Sequence, residues 1–189
     1  IMQILVQLLL HSLIAGGIYA LVAAGFSLIY ATNKFIHFAH GAVVTVGAYA
    51  LYQTSLLGLS LMASVVTSII ICMILGYILN KVIYKSLRKQ SASSVIMLIA
   101  SICLLILLES MILLIFGANV RTISLLQASS SLQVFGAHIT ILQLLIVFSA
   151  VLLLLSLYLF MSKTKLGKAI RAVSNNKQLS EVIGISSER

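Results

Sequence analysis

Five stretches of this chain are almost wholly apolar, and its polar residues gather between them. The stretches run over roughly 4–28, 36–57, 59–80, 95–116 and 139–161, each close to the ~20 residues that cross a hydrocarbon core as a helix. A membrane barrel strand would alternate apolar and polar residues over about ten positions, and no part of the chain does so. Inside lipid each backbone N–H and C=O must find a partner within the segment, so long continuous apolar runs predict helices. The expectation is an all-α, polytopic bundle of about five membrane spans.

The second stretch is less regular than the others. Asn33, Lys34, His37 and His40 crowd its start, and Gly41 and Gly47 interrupt it. A break in the helix is expected there, since irregular backbone at membrane depth occurs where it is buried in protein or lines a cavity. The chain contains no proline, so glycine and polar side chains must supply any break. Residues 122–137 are polar enough for an exposed loop, with Ser129 to Ser131 as its least ordered part. Beyond Lys163 the apolar regime ends. Leu166, Ala169, Ile170 and Val173 recur at helical spacing, and Leu179, Val182 and Ile183 follow after Asn175 and Asn176, which predicts two short amphipathic helices joined by a turn. The chain therefore divides into a transmembrane region, 1–162, and a cytoplasmic segment, 163–189.

Charge supplies an orientation. Of the residues, 61% are hydrophobic and 8% charged, against roughly a quarter charged in a soluble domain. The net charge of +9 does not describe a nucleic-acid surface, because the cations sit in short clusters after apolar runs. Lys81, Lys85, Arg88 and Lys89 form one cluster and Lys163, Lys165, Lys168 and Arg171 another, which marks both as cytoplasmic loops. The stretch from Gly117 to His138 carries only Arg121 and should face outward. Counting back puts the first residue outside and Lys34 near the inner interface. Cys72 and Cys103 fall inside apolar runs, where a thiol behaves as a small hydrophobe, so no disulfide is expected. The opening residues lack the basic region and cleavage site of a secretory signal. Glu109 is the one acidic residue within an apolar run. Pairing with Arg121 is favoured over a place in a solute path.

Two stretches carry a resemblance. GGIYALVAAGFSLIYATNKFIHFAHGAVVTVGAYALY, from Gly16 to Tyr52, and TKLGKAIRAVSNNKQLSEVIGISSER, from Thr164 to Arg189, are similar to the signatures of the branched-chain amino acid permeases of ABC importers. His37 stands where that family usually has asparagine, and Ala42 follows FAHG where an acidic residue is frequent, so the solute is the least defined part of the resemblance. The resemblance implies a multi-pass subunit of the bacterial cytoplasmic (inner) membrane that moves branched-chain or related amino acids by alternating access. It also implies two cytoplasmic ATPase subunits, a second related permease and an extracytoplasmic solute-binding protein as partners, with lipid around the spans. The second stretch looks like the family's loop that docks on the ATPase, with Leu166, Gly167, Lys168, Ala169, Ile170, Arg171, Val173 and Gly184 as coupling residues. Helix-in-groove docking would supply a short rigid contact there, whereas a basic amphipathic helix lying on the membrane is the bland reading. The family's chain normally continues into further spans, so this sequence reads as truncated after the coupling loop.

For the solute path the candidates are Asn33, His37, Phe38, His40, Gly41, Gly47 and Tyr49. Each has a plainer explanation beside it. Small residues let membrane helices approach closely, and a neutral imidazole can satisfy itself on a carbonyl. His37 and His40 without carboxylate or cysteine partners do not make a metal site. No phosphate-loop motif is present, so ATP would be hydrolysed by a partner and no cofactor is expected. A permease for urea, an amide or a sugar, and a non-transporting membrane scaffold, are the rival readings; an enzyme is disfavoured.

Overall fold

The computed structural model describes residues 2–123, 131–134, 137–176 and 180, and nearly all of them are helical. Among these residues the α-helices are α1 (Met2–Asn33), α2 (Ala39–Leu56), α3 (Leu61–Leu79), α4 (Lys85–Lys89), α5 (Ser94–Phe116), α6 (Ile141–Lys163) and α7 (Lys165–Asn175). A π turn, Asn80–Tyr84, joins α3 to α4. Hydroxyl side chains mark where four helices begin, each accepting from a backbone N–H that the helix leaves unpaired. Ser60 accepts from Ala63, Ser93 from Ile96 and Thr164 from Gly167. At α6, Thr140 and Gln143 cap each other reciprocally, at 3.3 and 3.0 Å, the arrangement that satisfies two donors at once.

Among the described residues, four helical rods are long and apolar enough to cross a membrane: Ile4–Asn33, Leu61–Lys89, Ser94–Phe116 and Ile141–Lys163. The chain is a polytopic membrane protein. Helix α2, with 18 residues, is shorter and more polar than these rods. Its irregularity lies ahead of it rather than within it: residues 34–38 are non-helical, and Lys34 ends α1 in a left-handed conformation, φ 57°. From Ala39 to Leu56 the helix is continuous through both Gly41 and Gly47.

Two other segments differ from the sequence expectation. The basic cluster from Lys81 to Lys89 is not a loop but a helical extension of α3. The expected loop over 122–137 contains strand β1 (Ser131–Val134), which pairs antiparallel with β2 (Ala137–Thr140), Ser131 opposite Thr140. The second amphipathic helix, with Leu179, Val182, Ile183 and Gly184, lies outside the described residues.

The chain forms two compact units, residues 1–34 with 129–189 and residues 35–128. In the first, α6 packs on α1, and α7 packs on both. Gly17 faces the buried Ala150, where an added Cβ would stand 3.2 Å from the alanine methyl. In the second, α2 packs on α3 and α5, and the core gathers Phe35, Ala39, Leu79, Tyr84 and Leu104. Many large apolar side chains elsewhere, Leu9, Leu114 and Tyr158 among them, are exposed, as helices in lipid allow.

Candidate functional site

The irregular entrance to α2 is held from two sides within its unit. Tyr84, on the π turn, shares a hydrogen bond of 2.9 Å with Nδ1 of His37, and Phe35 packs tilted on the tyrosine ring with centroids 5.4 Å apart. Ser101, fully buried on α5, accepts from the Phe38 N–H at 3.3 Å. Its hydroxyl proton is within reach of two carbonyls, Ile36 at 3.1 Å and Leu98 at 2.7 Å. The connector's polar backbone, which no helix satisfies, is thereby paired with a side chain from a neighbouring span, the condition for irregular backbone inside a membrane protein.

Further along, α2 and α3 meet through a seam of small polar side chains. Ser68 donates to the Gly47 carbonyl at 2.6 Å, and the Cys72 thiol reaches the Val43 carbonyl at 3.6 Å. An added Cβ at residue 47 would stand 2.8 Å from the Cys72 sulfur, so glycine is what lets the thiol lie on the α2 backbone. Donors four residues apart on α3 thus meet carbonyls four apart on α2. Continuing that register brings Ser64 to Leu51, whose carbonyl already accepts from Thr54 at 3.1 Å. Ser64 is fully buried, and among the described residues its hydroxyl has no partner.

A third feature is the corner between α6 and α7. Thr164 closes one helix and opens the next: its hydroxyl donates to the Phe160 carbonyl at 2.7 Å and accepts from the Gly167 N–H at 3.0 Å. Gly167 is buried against the end of α6, where an added Cβ would run into the Phe160 carbonyl oxygen and stand 2.6 Å from the Met161 Cα. Both are backbone atoms. Only a glycine permits so close a fold-back. Arg171 reaches back to the Ser162 carbonyl at 3.4 Å.

The candidate residues are not gathered into one cluster. Asn33 ends α1, its amide donating to the Ile29 carbonyl at 3.2 Å. His37 is engaged by Tyr84, and Gly47 is covered by the thiol. Phe38 is exposed, His40 is half-buried in the first turn of α2, and Gly41 has open space around it. Tyr49 lies two and a half turns above His40, its ring 4.6 Å from that of Phe116. Among the described residues no three His, Cys, Asp or Glu side chains converge. Glu109 and Arg121 do not pair; the guanidinium donates to the Phe116 carbonyl at 2.8 Å instead, closing the end of α5.

The amphipathic face of α7 is divided. Ala169, Ile170 and Val173 are half-buried on their own unit, whereas Leu166, Lys165, Lys168 and Arg171 are exposed. Sequence reasoning passed over Tyr84, Ser68, Ser101 and Thr164. The available signal was a hydroxyl in an apolar run, which in lipid has to find a partner.

Comparison with known proteins bears on all three features. The family model described as branched-chain amino acid transport system / permease component matches residues 8–189. The chain is similar to the high-affinity branched-chain amino acid transport system permease protein BraD of Pseudomonas aeruginosa, 30% identical over 96% of this chain and 62% of that protein. It is also similar to the corresponding LivH proteins of Salmonella typhimurium, 28% identical, and Escherichia coli (strain K12), 27% identical, each over 97% of this chain and 63% of the relative. The chain thus spans about three fifths of the length of these relatives. No solved structure matches it significantly.

Proposed function

The chain belongs to the branched-chain amino acid transport system permease family, and from that premise we propose that it forms the membrane path for branched-chain or related amino acids in an ATP-driven importer. The observation that carries this reading is a family match over residues 8–189, which takes in both the α2 entrance and the α6/α7 corner. The path borders the α2 entrance, where Phe38, His40 and Gly41 offer surface to a solute and His37 is fixed by Tyr84, while Gly47 and Tyr49 lie farther along α2 and Asn33 closes α1. ATP is hydrolysed by cytoplasmic partner subunits, and a second permease and an extracytoplasmic binding protein complete the assembly in the cytoplasmic membrane.

In this reading the ends with Lys81–Lys89 and Lys163–Arg171 are cytoplasmic. Force from the ATPase enters through α7. Its exposed surface of Leu166 with Lys165, Lys168 and Arg171 fits an acidic, partly apolar groove. The capped, glycine-lined corner passes that force to α6 as a rigid elbow. The test is uptake of labelled leucine by the full-length protein in cells supplying the other components. Reversing Lys165, Lys168 and Arg171 to glutamate is expected to lower ATP-dependent uptake about tenfold or more, by like-charge repulsion at the contact, while membrane insertion is unchanged. Undiminished uptake refutes the coupling role.

A further inference from the structure

The rod Leu61–Lys89 is longer than a bilayer core requires. About 20 residues rising ~1.5 Å each fill a core of about 30 Å, and Leu61 to Asn80 supplies them. Lys81 to Lys89 then stands in the headgroup layer. Tyr77, Lys81, Lys85 and Lys89 are all exposed on this rod, spaced by four residues. In a regular α-helix, side chains four apart drift around the axis by about 40°, which would fan these four across about 120°. The π turn Asn80–Tyr84, closed by i→i+5 bonds and so taking more residues per turn, removes much of that drift. A turn of that kind brings the four positions nearer to one line along the axis than a regular α-helix would.

The rest of the rod is consistent with a strip facing lipid. The Lys81 ammonium sits 5.5 Å from the centroid of the Tyr77 ring, and Ile78 and Val82 are exposed beside it. Leu79 and Tyr84 turn the other way into the core. Arg88 is drawn aside, donating to Asn80 at 2.7 Å. Glu109 is the first acidic residue in the chain, so no carboxylate from residues 1–108 competes for the three ammonium groups.

We propose that Tyr77, Lys81, Lys85 and Lys89 form a binding strip for anionic phospholipid headgroups. The three lysines hold phosphates at successive depths, and Tyr77, Ile78 and Val82 lie against the acyl chains below. Exposed apolar side chains continuous with the lysines favour a lipid surface over a soluble acidic protein, which would leave that apolar surface uncovered. The inference rests on membrane insertion and stands whether or not the transport reading does.

The experiment places the full chain in nanodiscs of phosphatidylcholine with a minority of photo-crosslinkable phosphatidylglycerol and maps lipid adducts on residues 77–89. The paired exchange Lys85→Ser with Ser86→Lys keeps charge and composition but moves one ammonium off the line. It is expected to lower adduct yield about threefold, and K81Q/K85Q/K89Q to bring it near background. The equally charge-depleted K163Q/K165Q/K168Q should leave adducts on 77–89 unchanged, and K81R/K85R/K89R should retain them, which separates loss of charge from misfolding. Three results overturn the proposal: the paired exchange matching the parent, inorganic phosphate displacing the lipid and so revealing a free phosphate site, or lysines shielded only when a soluble acidic protein is added.

Discussion

The two units hold their helices together by different chemistry. In the first, α1 meets α6 where Gly17 lies against Ala150, a contact of methyl and backbone. In the second, α2 and α3 meet through Ser68 and Cys72 hydrogen-bonded to the α2 carbonyls at 2.6 and 3.6 Å. Both exploit small residues, which membrane helices need because lipid is as apolar as leucine and provides no hydrophobic drive between them. Only the second selects a register, because a hydroxyl must find a particular carbonyl whereas a methyl tolerates sliding. The first unit regains definition at its end, where the α6/α7 corner is locked by Thr164 and Gly167.

The largest expected effect falls on that corner. Gly167→Ala drives a methyl into backbone atoms that have no rotamer to change, and is expected to cost about 3 kcal/mol, at the upper end of overpacking penalties. The strain should appear as α7 swinging away from α6, read by spin-label distances between the two helices. Unchanged distances would show that the corner is not set by the glycine. On the seam, Gly47→Ala should cost about 2 kcal/mol in reversible unfolding from mixed micelles. Adding Cys72→Ala should recover most of it, because the clash is with a removable sulfur; a failure to recover would place the strain elsewhere. The smallest effects sharpen the contrast within one helix. Ser68→Ala should cost about 1 kcal/mol through its lost interhelical bond, whereas Ser64→Ala, which removes a buried unpartnered hydroxyl, should be neutral or slightly stabilising. Equal costs at the two serines would mean that the seam's bonds contribute no more than its packing.

Much of this was legible in the residues. Apolar runs predicted helices because lipid leaves the backbone no other partner, and four of those runs are rods long enough to cross. The two signatures pointed to the family whose model matches residues 8–189. The candidate site was legible only in part. His37 and Gly47 read as possible solute contacts because nothing in the local sequence places Tyr84 against the imidazole or Cys72 against the glycine. Those partners lie 47 and 25 residues away along the chain, by subtraction of their positions. The expected pairing of Glu109 with Arg121 failed for a similar reason: a carbonyl at the end of α5 lay closer to the guanidinium than the carboxylate did.

What the sequence determined by itself was the solvent, the helical class and the positions of several helix starts, because each depends on the transfer energy of a run of residues or on a cap three residues from its donor. What only the tertiary structure decided was which polar side chains face which carbonyls, and that the basic cluster after α3 is a helical extension with a π turn rather than a loop. Hydrogen bonds between helices depend on the angle each residue presents around its axis. A single π turn resets that angle for everything after it, and a residue count along the chain carries no record of the change.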